Sequence, residues 1–243
     1  MEDNFNYDDI DFDKHKRGKS KSSPKRWSIF IIEGIIVLVA VVAGGRFLFS
    51  DPANQSDLQA TVAAQPTQAL SLTAQDLFDR ALIEKSERLT TSAIQSLTYA
   101  LELDPEFAAA YFERAELYYS DSQYYRAEQD YESALRYAYD DTVYATFRLG
   151  MARFHRDDYW NAIGNFDEVI ERDPDYIDGY YWRGRANIEF GNYQAGIDDL
   201  TRALDMGYDE PEYAYFFIAT AYDDLGDYDA AIENYTTSLT YSS

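Results

Sequence analysis

Groups able to do chemistry are scarce in this chain of 243 residues, which carries two histidines, His15 and His155, and no cysteine. His15 lies in a basic run. His155 stands between Phe154 and Arg156 beside a turn signal, where a solvated turn is the expected setting. The absence of thiols excludes disulfide and thiolate chemistry. No nucleophile elbow, phosphate loop or paired-histidine metal motif occurs. Asp173, Asp175 and Asp178 are the nearest thing to a cation site, but they lack the Gly and terminal Glu of an EF-hand loop. A capping and turn role is expected for them instead. The chain therefore reads as non-catalytic, with neither cofactor nor resident metal.

Recognition chemistry is better supplied, because aromatic and small residues recur at fixed intervals. GDYDAAIENYTTSL (226–239) repeats GNYQAGIDDLTRAL (191–204) at an offset of 35 residues. From Ala74 the chain divides into units of 34 or 35 residues, 74–107, 108–142, 143–176 and 177–211, followed by 212–243 in the same register. The eighth position reads Ala81, Ala115, Gly150, Gly184 and Ala219, and the twentieth reads Ala93, Ala127, Ala162, Gly196 and Ala231. Leu97, Tyr131, Phe166, Leu200 and Tyr235 hold the twenty-fourth, and Ala100, Ala134, Val169, Ala203 and Ser238 the twenty-seventh.

Such a pattern predicts two amphipathic helices per unit, each of about 14 residues, with small residues where they cross and large ones filling the groove beside them. Turns fall at DSQY, RDDY, FGNY and LGDY. Gly191 and Gly226 stand where a left-handed C-cap is wanted, and Asp104-Pro105 and Asp173-Pro174 end second helices. In the 35-residue units YAYDD and DMGYDE replace the Pro turn, so a double unit of 69 residues recurs, Ala134-Leu135 matching Ala203-Leu204.

Segments such as YYWRGRANIEFGNYQAGIDDLTRAL and YFFIATAYDDLGDYDAAIENY resemble tetratricopeptide repeats, and five units keep register. The first unit departs most, with Glu84, Arg88 and Thr90 at signature positions. Arg80, Arg114 and Arg183 stand where Leu is commoner, which lays an aliphatic stem along the seam. The resemblance implies an all-α fold: a right-handed superhelical array of about five helix-turn-helix hairpins with a concave inner face. It also implies that positions five, nine and twelve of each unit face that concavity. Position five is an aromatic ladder, Phe78, Phe112, Phe147, Tyr181 and Phe216. Position nine adds Met151 and Arg185, and position twelve adds Tyr119 and Phe154. An extended segment or an amphipathic helix of a partner protein fits such a groove. The competing reading of the ladder is packing between adjacent hairpins. Phe78, Leu82, Phe112 and Glu116 occupy the places where some family members carry a Lys and Asn carboxylate clamp, so chaperone-tail binding is not implied.

Ahead of the repeats, WSIFIIEGIIVLVAVVAGGRFLF (27–49) is apolar apart from Glu33 and Arg46. As a helix it is ~34 Å long, enough for a hydrocarbon core of ~30 Å. Seven bases and no acid fill residues 14–26, which predicts a cytoplasmic N-terminus and an extracytoplasmic repeat domain. A cleaved signal peptide with a small-residue site before Gly44 is the rival reading. Residues 1–26 read as a disordered cytoplasmic tail and 50–73 as a flexible tether, with a root-mean-square reach of roughly 27 Å. From Ala74 onward there are 35 Asp and Glu against 13 Lys and Arg. That charge excludes nucleic acid as a partner. Two alternatives to groove binding remain: self-association through an uncapped last unit, exposing Tyr235, Leu239 and Tyr241, and a glycan-binding or regulatory role.

Overall fold

The computed structural model describes residues 72–241 and, ahead of them, Ile31–Ile32 and Ile35–Ile36. The chain divides into two compact units, Met1–Thr67 and Gln68–Ser243. In the first, β1 (Ile31–Ile32) and β2 (Ile35–Ile36) form an antiparallel pair, Ile31 opposite Ile36 and Ile32 opposite Ile35. A continuous helix was expected through these four residues, and the structure differs there. The physical reason is local: all four paired residues are isoleucine, whose β-branched side chain favours extended backbone. The rest of segment 27–49, the tail 1–26 and residues 50–71 lie outside the described residues. No helix among the described residues is long and apolar enough to cross a membrane.

The second unit is a chain of ten helices among the described residues: α1 (Ala74–Ser86), α2 (Thr90–Leu103), α3 (Ala108–Ser120), α4 (Tyr124–Arg136), α5 (Thr142–Phe154), α6 (Tyr159–Arg172), α7 (Ile177–Phe190), α8 (Tyr193–Asp205), α9 (Pro211–Leu225) and α10 (Tyr228–Tyr241). The start of α1 is set by a capping box. Thr73 Oγ1 accepts from the Asp76 backbone N–H, and Asp76 returns the bond to the Thr73 N–H at 2.9 Å. The Thr73 N–H and, at 2.8 Å, the Thr73 hydroxyl both donate to the Asp76 carboxylate and hold it below its ordinary pKa. Helices α2 and α6 stop at Asp104 and Asp173, both extended ahead of proline. Each of these aspartates accepts the N–H two residues on, at 3.1 Å. Asp173 and Asp175 thus serve the turn.

The fifteenth position of every unit is left-handed: Arg88 (φ 61°), Ser122 (55°), Asp157 (60°), Gly191 (92°) and Gly226 (79°). Only the last two are glycine, so the backbone of this turn is imposed by the hairpin rather than by residue type. Reversing direction within so few residues leaves little alternative, and three L-residues accept the steric cost.

Where the helices of a unit cross, the small residues do what their spacing predicts. Gly184 and Gly196 face each other across α7 and α8, and a Cβ added at Gly196 would meet the Gly184 carbonyl oxygen at 2.8 Å. Ala81, Ala93, Ala115, Ala127 and Ala162 are buried at the equivalent crossings, and Leu97, Tyr131, Phe166 and Leu200 are buried beside them. The first unit packs like the others despite its departures. Its Glu84 is buried and accepts from Arg80 Nε and Ser96 Oγ, at 2.8 and 2.7 Å.

Two arginines clamp neighbouring units. Arg114 forks onto Asp130 at 2.7 and 2.9 Å and reaches back to Thr98 at 3.1 Å. Arg183, 69 residues later, forks onto Asp199 at 2.8 and 2.6 Å and reaches back to Asp167 at 2.7 Å. The double unit seen in the sequence therefore has a side-chain counterpart. The seam carries a bidentate ion pair as well as aliphatic stems. Among the first helices of successive units, α5 also approaches α7 and α7 approaches α9. First helices that close on one another in this way form the inner wall of the curve.

Candidate binding groove

The position-five rings are placed by loops as much as by helices. In the first four units each meets an aromatic ring arriving from the turn after its own unit's second helix. Phe78 packs on Phe107 at 4.9 Å, Phe112 stacks on Tyr139 at 4.2 Å, Phe147 packs on Tyr176 at 5.1 Å, and Tyr181 stacks on Tyr208 at 4.3 Å. Phe112, Phe147 and Tyr181 are consequently buried, while Phe78 is half-buried. Phe216 meets Phe217 and Tyr235 instead and stays 41% exposed. The middle of the ladder joins one hairpin to the next, and its two ends retain accessible ring surface.

Position nine diverges along the wall. Met151 is buried. Arg185 is also buried, with its guanidinium carbon 4.2 Å from the Phe217 ring, 4.8 Å from Trp182 and 4.9 Å from Phe154. Three aromatic faces around one cation form a desolvated cation–π cluster. Position twelve holds Phe154, buried and edge-on to Trp182 at 5.2 Å, and Tyr119, which is half-buried. The Tyr119 ring lies 4.2 Å from the guanidinium carbon of Arg148. Arg148 pairs with Glu116 at 3.1 Å, and Tyr131 Oη donates to the same carboxylate at 2.5 Å. Burial works against the Arg148 charge, but the Tyr131 oxygen and Glu116 outweigh it and keep the guanidinium firmly protonated. Burial also pushes the Tyr131 phenol well up and the Tyr181 phenol up to about 12.

Of the nine candidate contact residues, then, Phe112, Phe147, Met151, Phe154, Tyr181 and Arg185 are buried in the wall. Phe78, Tyr119 and Phe216 reach its surface. Leu82, 38% exposed, joins Phe78 at the first unit. His155 is the residue whose setting the sequence did not reveal. It caps α5 and stacks on Tyr124 at 4.8 Å, 5.7 Å from Tyr119. Arg148, Trp182 and Phe217 were likewise missed as wall residues. All three occupy position six, and that shared register was the available signal. The surface so formed offers ring faces and edges over a rigid, charge-locked base. It suits apolar anchors of a bound segment.

Tetratricopeptide repeat profiles match residues 78–141, 117–177 and 147–211, and another matches 212–243. Tetratricopeptide repeat protein 13 of Homo sapiens is 31% identical over 94 residues, 39% of this chain and 11% of the human protein. The chain thus spans only about a tenth of that curated relative. Among solved structures, residues 41 to the end of MamA from Desulfovibrio magneticus RS-1 superpose with a TM-score of 0.65 at 16% identity, covering 72% of this chain and 97% of that one. A further MamA crystal structure gives 0.60 at 21% identity, covering 67% and 94%. YrrB, described as a TPR protein with an unusual peptide-binding site, gives 0.63 at 17% identity, covering 69% and 86%. Likeness at these identities establishes the shared fold.

Proposed function

The chain belongs to the tetratricopeptide repeat family, and from that premise we propose that it is a membrane-tethered, non-catalytic scaffold holding a protein segment against its first-helix wall. One observation carries the reading: Phe78, Leu82, Tyr119 and Phe216 keep accessible apolar surface while the rings Phe112, Phe147 and Tyr181 between the ends of the ladder are buried. A rigid base with exposed ring faces is how binding surfaces limit the entropy lost on association. YrrB, which shares the fold, is described as having a peptide-binding site, and that lends the groove support.

Segment 27–49 serves as the anchor in this proposal. In a bilayer, where lipid offers no hydrogen-bond partner, a stretch of 23 residues with two charges satisfies its backbone as a helix, and the pairing of Ile31–Ile32 with Ile35–Ile36 would give way to it there. The basic run 14–26 keeps the N-terminus in the cytoplasm and the repeats outside it. Protease treatment of intact cells tests the orientation: repeat-domain epitopes that survive digestion would reverse it.

Photo-crosslinking tests the groove. A benzophenone amino acid at Tyr119 is expected to capture a protein that the same probe at exposed Gln129, on the second helix α4, does not. Equal capture from both sites refutes groove binding. Phe154→Ala is unsuitable, because removing a buried ring destabilises the wall itself.

A second reading rests on α10. Ile232, Leu239 and Tyr241 are 64%, 70% and 55% exposed, although Leu101, the counterpart of Leu239 in the first unit, is buried. Self-association through this face would cover them. Sedimentation of fragment 68–243, a compact unit of its own, decides: a monomer at all concentrations rejects this reading.

A further inference from the structure

One edge of the array carries the turns that join the two helices of each unit. There, position fourteen of one unit lies over position eighteen of the unit before. The Arg156 guanidinium carbon sits 5.0 Å from the Tyr125 ring, and one step on Phe190 sits 5.8 Å from Trp160 at 45°. Trp160 is 69% exposed and Phe190 47%. Singly exposed apolar residues are ordinary, but two touching rings on a helix edge form a patch. Gly164 lies one helical turn beyond Trp160. It is exposed, and a Cβ added there would meet nothing within 4 Å. A glycine inside a helix weakens it, and no close packing requires this one. Its effect is to leave the flank of the Trp160 ring open.

The rim is acidic. Asp157, exposed three residues ahead of Trp160, accepts the Tyr159 hydroxyl at 2.8 Å, and Glu189 directly precedes Phe190. Arg156 is already engaged by Glu128 and Tyr125. The same pair of positions that sets Arg156 on the Tyr125 ring sets Phe190 against the larger Trp160 ring, which stays 69% exposed. Indole is the strongest ring for cation–π contact. Nucleic acid and anionic lipid are repelled by a domain with 35 acids and 13 bases from Ala74 onward.

We propose that the Trp160–Phe190 edge is a second docking surface, for a basic protein segment in which Lys or Arg flanks an apolar residue. The cation lies over the exposed Trp160 indole, drawn by the domain's excess of acids, and the apolar residue fills the notch at Gly164. This surface is separate from the groove and does not depend on it.

Fluorescence polarisation with the full chain in detergent tests this, using a labelled synthetic peptide that alternates Lys with Leu and Phe. Trp160→Ala is expected to weaken binding at least about tenfold, as anchors of this type do. Gly164→Lys, which fills the notch with a good helix former, is expected to do the same without loss of helicity. Replacing the peptide's Lys with Glu abolishes binding. Tyr119→Ala leaves it unchanged. Binding that survives both Trp160→Ala and Gly164→Lys, or that is lost only in Tyr119→Ala, overturns the edge, and the latter result would support the groove instead. Absence of peptide binding also overturns it. So does Trp160-dependent binding to phosphatidylcholine vesicles without binding to the peptide, which would make the patch a lipid contact.

Discussion

Asp130→Ala should be among the most destabilising substitutions of a charged residue in this domain. The carboxylate makes both arms of the fork with Arg114, at 2.7 and 2.9 Å, and the two side chains are only 8% and 16% exposed. Burial pushes the Asp130 carboxyl up, and Arg114 offsets only part of that, so the intact pair contributes little net stability. Losing one partner is different. Arg114 would keep its charge with only Thr98 at 3.1 Å and the Tyr111 and Tyr118 rings, 5.7 and 5.9 Å from its guanidinium carbon. An uncompensated buried charge costs about 3–5 kcal/mol. At roughly 2–4 °C per kcal/mol for a domain this size, the midpoint should fall by roughly 6–20 °C. The third unit shows how to remove the charge without that cost, since it carries Leu149 and Asn165 at the same two positions. Arg114→Leu with Asp130→Asn should recover most of the loss. Thermal unfolding followed by far-UV circular dichroism measures both. A single-variant loss below about 1 kcal/mol, the size of an exposed pair, refutes the reasoning. So does a double variant no more stable than the single one.

Gly196→Ala should destabilise by about 1–3 kcal/mol despite the better helix propensity of Ala, because the new methyl meets Ile188 and the Gly184 carbonyl. A neutral result in chemical denaturation would mean that α7 and α8 can part without cost. Ala138→Gly should raise stability by up to about 1 kcal/mol, since Ala138 sits at φ 60° while its counterpart 69 residues on, Gly207, takes φ 89° freely. A lower denaturation midpoint for this variant contradicts that. At high pH the buried phenols should drive unfolding. Burial raises Tyr139 and Tyr181 to about 12, against about 10 in the unfolded chain. The folded state therefore favours the neutral phenols. Their contribution is complete below pH ~10 and is lost as pH rises toward ~12. Phenolate absorbance should appear in two steps, the second together with loss of helicity. A single step near pH 10 with helices intact would count against it.

The periodic residues by themselves determined the helix pairs, their small-residue crossings and the αL turns at Gly191 and Gly226, because each of these follows from contacts within one unit or from local backbone chemistry. Units of 34 or 35 residues leave room for little else. Three things needed the tertiary structure. The position-five rings looked equally fit for a groove or a seam, and only the loop rings Phe107, Tyr139, Tyr176 and Tyr208, arriving from the far end of each unit, decided that the middle ones are covered. Arg114 and Arg183 read as aliphatic stems until Asp130 and Asp199 were seen opposite their forks. Trp160 carried no signal in the repeat register, and only the structure sets Phe190, from the next unit, against it in the open. In each case the deciding partner lies 16 to 30 residues away, beyond the reach of a single helix's periodicity. Exposure is a property of what packs over a residue, which no residue type specifies alone.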